Sequence, residues 1–298
     1  MYGKFDYYRR KIDGMIYEVN VPQPPYPNGK QWQNIGEMES KGWEFEVGGD
    51  IIQNKDFTWT SSLNMSHNSG KILTMYGNNS RMDGNAMDEP GWPGDASRIE
   101  EGAEIGAFHM WKFAGFDDKG DFLLYNKDGE VIPASQKSVD DKQYIGNYLP
   151  KVMMGWNNTF TYKNFDLGIN MRSWIGFDVL NTYPMYLGIQ GQSGAGQWNL
   201  WKPALDDPKY KLCDYFLEDG SFLKIDAITL GYTLALSKYT KWAERLRVYG
   251  TVGNVATITG YSGHNPEVNI TGWEGGVDKV WNCDPIVRTY TLGIQVTF

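Results

Sequence analysis

The final stretch of the chain constrains its fold more tightly than any other. From Arg288 to Phe298 it reads R-T-Y-T-L-G-I-Q-V-T-F. Tyr290, Leu292, Ile294, Val296 and Phe298 fall on one face, and Thr289, Thr291, Gly293, Gln295 and Thr297 on the other. This is unbroken period-two alternation, the pattern of a strand with one apolar and one uncharged polar side. A half-buried strand of a soluble protein satisfies the same alternation. The terminal aromatic favours the closing strand of a membrane barrel, which ends at an aromatic rim and turns its apolar face to lipid.

Composition is compatible with that reading. No run approaches the roughly 18 apolar residues of a helical span, so a helical membrane protein is excluded. A barrel is not, because each of its strands hides an apolar residue only at every second position. A net charge of −8 without clustered Lys and Arg argues against nucleic-acid binding. Met1 is not followed by a basic segment and an apolar core, so no secretory leader is read there. Lys4, Phe5, Asp6, Tyr7 and Tyr8 look like the middle of a strand. The expectation is that the polypeptide starts earlier, with any export signal and amino-terminal domain upstream.

The same alternation recurs in hairpins. From Gly42 to Gln53, Trp43, Phe45, Val47, Gly49 and Ile51 oppose Glu44, Glu46, Gly48 and Asp50, which gives an acidic polar face. After a turn at Asn54, Lys55 and Asp56 the chain returns from Phe57 to Asn68. Val152 to Tyr162 and Phe165 to Met171 form a second hairpin around Lys163 and Asn164, with Tyr162 and Phe165 flanking the turn as an interfacial girdle requires. A third runs from Ser221 to Leu234 and from Arg245 to Val255. In its first strand the phase changes between Ile225 and Ile228, which reads as a bulge or as the strand leaving the membrane.

Long connections separate these hairpins: Ile12 to Lys41, Lys71 to Leu149, Asp178 to Gly220 and Ala256 to Val287. Short turns at one end and long loops at the other are the asymmetry of an outer-membrane barrel with its loops outside the cell, whereas a compact soluble domain seldom carries so many long loops. With Phe298 at the periplasmic end, strand directions alternate backward along the chain. Zero or two membrane strands must then lie between Asn68 and Lys151. The choice of zero makes Ile105 to Phe113 and Asp121 to Ile132 a hairpin inside an external loop, turning at Lys127, Asp128 and Gly129. The fold expected is an all-β, partial transmembrane antiparallel barrel of about eight strands, or about ten on the opposite choice.

Several segments carry a family resemblance in combination. Asp219 to Leu234 (D-G-S-F-L-K-I-D-A-I-T-L-G-Y-T-L), Leu246 to Tyr249, Tyr261 to Gly263 with Asn265 to Val268, and Arg288 to Phe298 resemble the carboxyl-terminal portion of the SusC/RagA family. Asn34 to Gly42, leading into a strand, does so as well. The family comprises TonB-dependent outer-membrane transporters of Bacteroidetes. The resemblance implies a barrel of about 22 strands with an amino-terminal plug. It also implies a TonB contact segment, a SusD-like surface lipoprotein acting as a lid, pairing of two transporters, and import of oligosaccharides or peptides. Residues 1–298 would be the carboxyl-terminal wall of such a barrel, embedded in outer-membrane lipid, with neither plug nor TonB contact segment in the chain.

Candidate chemistry is sparse, and no catalytic residue is expected. Glu44, Glu46, Asp50, Asp166 and Asp226 are placed facing a wet lumen, where they would set its potential rather than perform acid–base catalysis. Asp117, Asp118, Asp121, Asn126, Asp128 and Glu130 offer oxygen ligands for calcium in an outer loop, but their spacing is not that of an EF-hand. His67, His109 and His264 form no zinc spacing. No cofactor and no resident metal are expected. Trp92, Trp198, Trp201, Trp273 and Trp281 fall in the outer loops, available to stack on sugars, to meet a lid or to stabilise long loops. Cys213 and Cys283 flank one hairpin. They are either a disulfide, which an oxidising surface permits, or two thiols in separate loops.

Two other readings fit parts of the pattern. A soluble all-β glycan-binding module would pack one strand face against a second sheet. A small complete outer-membrane barrel with a structural or adhesive role would close on about eight strands.

Overall fold

The computed structural model describes residues 1–34, 36–75, 81–89, 92–187, 212–271, 275–279 and 286–298. Eight long strands form one antiparallel sheet: β1 (Tyr2–Asp13), β2 (Glu37–Gln53), β3 (Phe57–Thr74), β4 (Val152–Tyr162), β5 (Phe165–Ile175), β6 (Phe222–Ala235), β7 (Arg245–Thr259) and β8 (Thr289–Thr297). Each pairs with its sequence neighbour, so spatial order equals chain order. β3 pairs directly with β4, Trp59 opposite Phe160 and Leu63 opposite Trp156. The stretch between them therefore adds no strand to the wall, as the zero choice expects.

Register divides the wall into two faces, because residues directly opposite one another share a side. Tyr290, Leu292, Ile294 and Val296 oppose Val252, Gly250, Val248 and Leu246. These in turn oppose Ile228, Leu230, Tyr232 and Leu234. The apolar face continues through Ile169, Leu167 and Phe165 on β5, then Phe160 and Tyr162 on β4. On β3 and β2 it is carried by Trp59, Leu63 and Met65 and by Val47, Phe45 and Trp43. This face is uncovered: Tyr290 is 74% exposed, Leu292 89%, Ile294 71% and Phe298 79%. A soluble sandwich would bury it against a second sheet, and among the described residues no such sheet lies on it.

The apolar band has limits that match a bilayer. On β1, Phe5 and Tyr7 give way to Arg9 and Lys11. On β2 the band ends at Trp43, beyond which come Lys41 and Glu39, and on β3 Met65 and His67 are followed by Ser69 and Lys71. From Trp43 to Ile52 the band spans ten residues, about 30 Å of strand, enough for a tilted crossing. Aromatic side chains crowd the tight-turn end, where Phe165 meets Tyr232 at 4.7 Å and Trp242 meets Phe298 at 5.9 Å between ring centroids. Above the band the faces exchange character. The formerly apolar side becomes charged, with Arg9 paired to Glu39 and Lys11 to Glu37, while the opposite side turns apolar at Ile72, Trp174 and Phe222 and is covered.

What covers it is an outer layer built by the long connections. A four-stranded sheet combines Arg81–Glu89, Trp92–Glu100, Ala107–Met110 and Gln143–Asn147. A three-stranded meander combines Lys112–Phe116, Phe122–Tyr125 and Val131–Pro133. A third small sheet joins Asp178–Asn181, Leu217–Asp219 and Val277–Asp278, and so ties the β5–β6 connection to the β7–β8 connection. Their shared core includes the fully buried Phe108, Met110, Trp111, Leu124, Leu180, Leu212 and Phe216. The expected single hairpin between Ile105 and Ile132 is instead a meander with two turns, one at Asp117–Gly120 and one at Asn126–Gly129. The second is the turn read from sequence. The first lies where Asp117 Oδ1 accepts from the backbone N–H groups of Lys119 and Asp121.

Candidate functional site

The chemistry-bearing residues gather on the polar face of the wall. Glu44 and Glu46 lie there on β2 together with Asp50, which accepts a 2.6 Å hydrogen bond from Thr60 Oγ1. Lys4 and Asp6 of β1 are opposite them, joined by a 2.7 Å ion pair. This part of the face is acidic. Farther along the sheet the charge is balanced, because Asp166 and Asp226 each meet an arginine. Arg247 donates to both oxygens of Asp166, from Nε at 3.0 Å and from Nη2 at 2.5 Å. Arg172 Nε lies 3.0 Å from Asp226 Oδ2. Sequence alternation found the carboxylates; their arginines come from strands far away in sequence or two places along the sheet, where no local pattern shows them.

Asp226 owes its position to a bulge. Against β5, Asn170 opposes Ala227 and Met171 opposes Ile225, so Asp226 has no partner there. Against β7, Ile225 opposes Ala256 and Ala227 opposes Gly253, which leaves Asn254 and Val255 facing Asp226. Asn254 takes the left-handed conformation, φ 52°. The phase change read in the sequence is thus a bulge.

One loop folds back onto this region. Tyr261 and Val268 pack on Phe177, Phe222 and Trp174. Glu267 between them accepts from Arg172 Nη1 at 2.5 Å and Nη2 at 2.8 Å, and from Lys224 Nζ at 3.1 Å. The loop is moored ahead of Glu267 as well: Ser262 N–H donates to Glu218 at 2.8 Å, and Tyr261 O–H donates to Asp278 Oδ2 at 2.8 Å. Burial pushes both Tyr261 and Asp278 upward from their ordinary values.

A cleft of about 770 Å³ opens where the outer layer meets the outer ends of β4 and β5, bordered by Glu100, Glu101, Glu104, Asp178, Asp219 and Lys151. Its carboxylates serve the backbone: Glu101 accepts from Met75 N–H at 2.6 Å and Asp178 from Asn147 N–H at 2.8 Å. Burial raises Asp178 above the usual carboxylate range. Among the described residues no three His, Cys, Asp or Glu side chains are arranged to hold a metal. The outer-loop oxygen donors read as calcium candidates sit at the two meander turns, where Asn126 Oδ1 accepts from Asp128 and Glu130 N–H. His67, His109 and His264 lie apart, His264 stacked on Tyr183 at 5.3 Å.

Of the tryptophans singled out, Trp92 begins a strand of the outer layer. Trp198, Trp201, Trp273 and Trp281 lie outside the described residues, as does Cys283. Cys213 is buried in the outer-layer core beside Leu212 and Phe216.

A one-layer wall with an uncovered apolar band, aromatic rims, an ionic polar face and long loops at one end is a segment of a transmembrane antiparallel β-barrel. The profile of the family described as "TonB dependent receptor-like, beta-barrel" matches residues 1–255, and the chain belongs to that family. It is similar to the TonB-dependent receptor P3 of Formosa agariphila, at 29% identity over 99% of this chain and 32% of that protein. It is also similar to the TonB-dependent receptor SusC of Bacteroides thetaiotaomicron, at 28% identity over 99% of this chain and 30% of that protein. Among solved structures it superposes on the RagAB peptide transporter with a TM-score of 0.82 and 26% identity, covering 99% of this chain and 33% of the other. The chain thus spans about a third of the length of the relatives it matches.

Proposed function

We propose that this chain is the carboxyl-terminal wall of an outer-membrane, TonB-dependent nutrient importer of the SusC type. Its uncovered band faces lipid, and Glu44, Glu46, Asp50, Asp166 and Asp226 face a watery passage. Its outer layer lies outside the cell, and Phe298 is at the periplasmic rim. The observation that carries this reading is the paired set of faces. The apolar band is continuous over eight strands and about as tall as a bilayer core, while every charged wall residue at the same height is on the opposite side.

In this reading the importer works with a SusD-like surface lipoprotein as lid and draws energy from TonB through a plug, both supplied outside this segment, and it pairs with a second copy. The segment performs no covalent chemistry. Its part is to hold the membrane seal, line the passage and present the outer layer to lid and cargo. Cargo is an oligosaccharide or a peptide. The ion pairs on the polar face and the structural similarity to a peptide transporter favour the peptide.

Deletion of the gene that encodes the intact transporter, with uptake of labelled oligosaccharides and of labelled short peptides measured in parallel, tests the assignment. Loss of peptide uptake with sugar uptake intact is the expected result. Loss of sugar uptake alone would reassign the cargo, and loss of neither would contradict import.

A further inference from the structure

The ion cluster at the mouth of the polar face has an asymmetry that a simple salt bridge lacks. Its cations stand on the wall, Arg172 on β5 and Lys224 on β6, opposite each other in the ladder. The carboxylate they share, Glu267, belongs to the folded-back loop. Asp226 at the bulge engages Arg172 through Nε, with oxygens at 3.0 and 3.1 Å. That contact fixes the guanidinium plane and leaves the Nη1/Nη2 edge presented. Glu267 meets that edge bidentately, and its Oε2 also receives Lys224 Nζ. Two cations held by a rigid sheet and pre-oriented by a third residue make a carboxylate receptor. Its present occupant is tethered to the chain.

We infer that Arg172 and Lys224 form a carboxylate-binding site on the passage wall, that Glu267 fills it as a surrogate ligand, and that the free carboxylate of an incoming ligand exchanges with Glu267. This rests on the polar face being the passage. Exchange leaves the charge of the site unchanged, because one carboxylate replaces another, and it frees the loop around Glu267 from its mooring to the wall. A tethered group competes at an effective concentration on the order of millimolar, so the wild-type site admits only a ligand already concentrated at the mouth. The other groups facing the site are Asp226 and, one pair farther along the ladder on the same face, the rings of Trp174 and Phe222. The aromatic rings offer an apolar floor for the residue that bears the carboxylate.

The test uses the intact transporter in detergent and two probes that differ by one charge, N-acetylalanine and N-acetylalaninamide. Glu267→Ala vacates the receptor and is expected to bind N-acetylalanine about tenfold more tightly than wild type, with no gain for the amide. Glu267→Gln, which keeps shape and removes charge, should behave likewise and guards against misfolding of the alanine variant. Adding Arg172→Lys to Glu267→Gln should abolish the gain. If both single variants fold, as read from the heat-dependent gel mobility of a closed barrel, and neither binds the acid better than the amide, the inference is overturned. Labelling Thr229→Cys on the same face with a membrane-impermeant maleimide tests the passage separately. Failure to label there sinks the passage reading whatever the acid does, and labelling without acid binding sinks the receptor alone.

Discussion

Asp166 and Arg247 form a two-pronged ion pair across an entire intervening strand. Asp166 is on β5 and Arg247 on β7, and their side chains meet over Gly231 of β6, at 3.0 and 2.5 Å. A Cβ built on Gly231 would lie 2.5 Å from Asp166 Oδ1 and 2.7 Å from Arg247 Nε. The glycine is therefore the floor on which the pair rests.

Gly231→Ala should part the two charges and leave each without its partner on a part-buried face, at a cost of about 1–3 kcal/mol. Gly168→Ala on the same face of β5 meets nothing within 4 Å. That change should be close to neutral. Urea unfolding of the intact barrel in vesicles distinguishes the two; equal losses would show that the ion pair contributes nothing.

The apolar face contains one buried polar side chain that sequence alternation does not explain. Asn158 is 4% exposed and accepts the indole N–H of Trp59 at 3.0 Å. Trp156 N–H donates to Ser61 Oγ at 2.9 Å on the same face. In hydrocarbon an unpaired N–H costs more than the apolar surface gained. Asn158→Leu, although more hydrophobic, should thus destabilise the barrel by about 1–2 kcal/mol. Combining it with Trp59→Phe, which removes the orphaned donor, should recover much of that loss. A double-mutant cycle with no coupling would contradict the pairing.

The outer layer stands on its own core, and Trp111 is the largest fully buried side chain among its described residues. Lys137 Nζ lies 3.9 Å from its ring centre, and its N–H donates to Ser138 O at 2.7 Å. Trp111→Ala should cost about 3–5 kcal/mol and loosen this layer while β1–β8 stay paired. Limited proteolysis reads the difference as cleavage between residues 96 and 149 with the wall protected. Collapse of the whole barrel would show instead that wall and layer are one cooperative unit.

Three outer-layer carboxyls, the half-buried Asp178 and Asp214 and the buried Asp278, are all raised above their ordinary value, desolvation being the first cause in each. The folded layer therefore favours their protonated forms. Their contribution to stability is complete below the unfolded carboxylate range near 3.8 and is lost as pH rises through their higher folded values. Hydrogen exchange corrected for intrinsic rates should show segments 177–181, 212–216 and 276–279 losing protection as pH rises from about 4 toward 7. Asp278→Asn should flatten that dependence at its own segment; the opposite slope would contradict the burial argument.

Much of the wall was legible from alternation alone. Tyr162 and Phe165 set the limits of the β4–β5 turn, and the phase slip before Ile228 marked the bulge at Asp226. Period-two patterning is strong where one side meets lipid and the other water, because a one-residue slip would exchange the faces. It fails where both sides are wet or both covered. The strand extensions through Glu37–Lys41 and Ser69–Thr74 lie beyond that signal, because above the membrane band the faces trade character. The outer layer was read as loops because its core is assembled from short strands in separate connections, as Leu180 beside Val277 illustrates. The role of Glu267 has no local signal for a related reason: its partners Arg172 and Lys224 lie 95 and 43 positions away.

Which medium each side of the wall meets can be read most directly on β8. Single cysteines placed in turn from 289 to 297 in the intact transporter, spin-labelled and reconstituted in vesicles, report collision with oxygen, which concentrates in lipid, and with a water-soluble nickel chelate. Labels at 290, 292, 294 and 296 should collide with oxygen and those at 289, 291, 293, 295 and 297 with nickel, out of phase with a period of two. Labels at 292 and 294 shielded from both reagents would place that face in a dry protein interior and contradict the account.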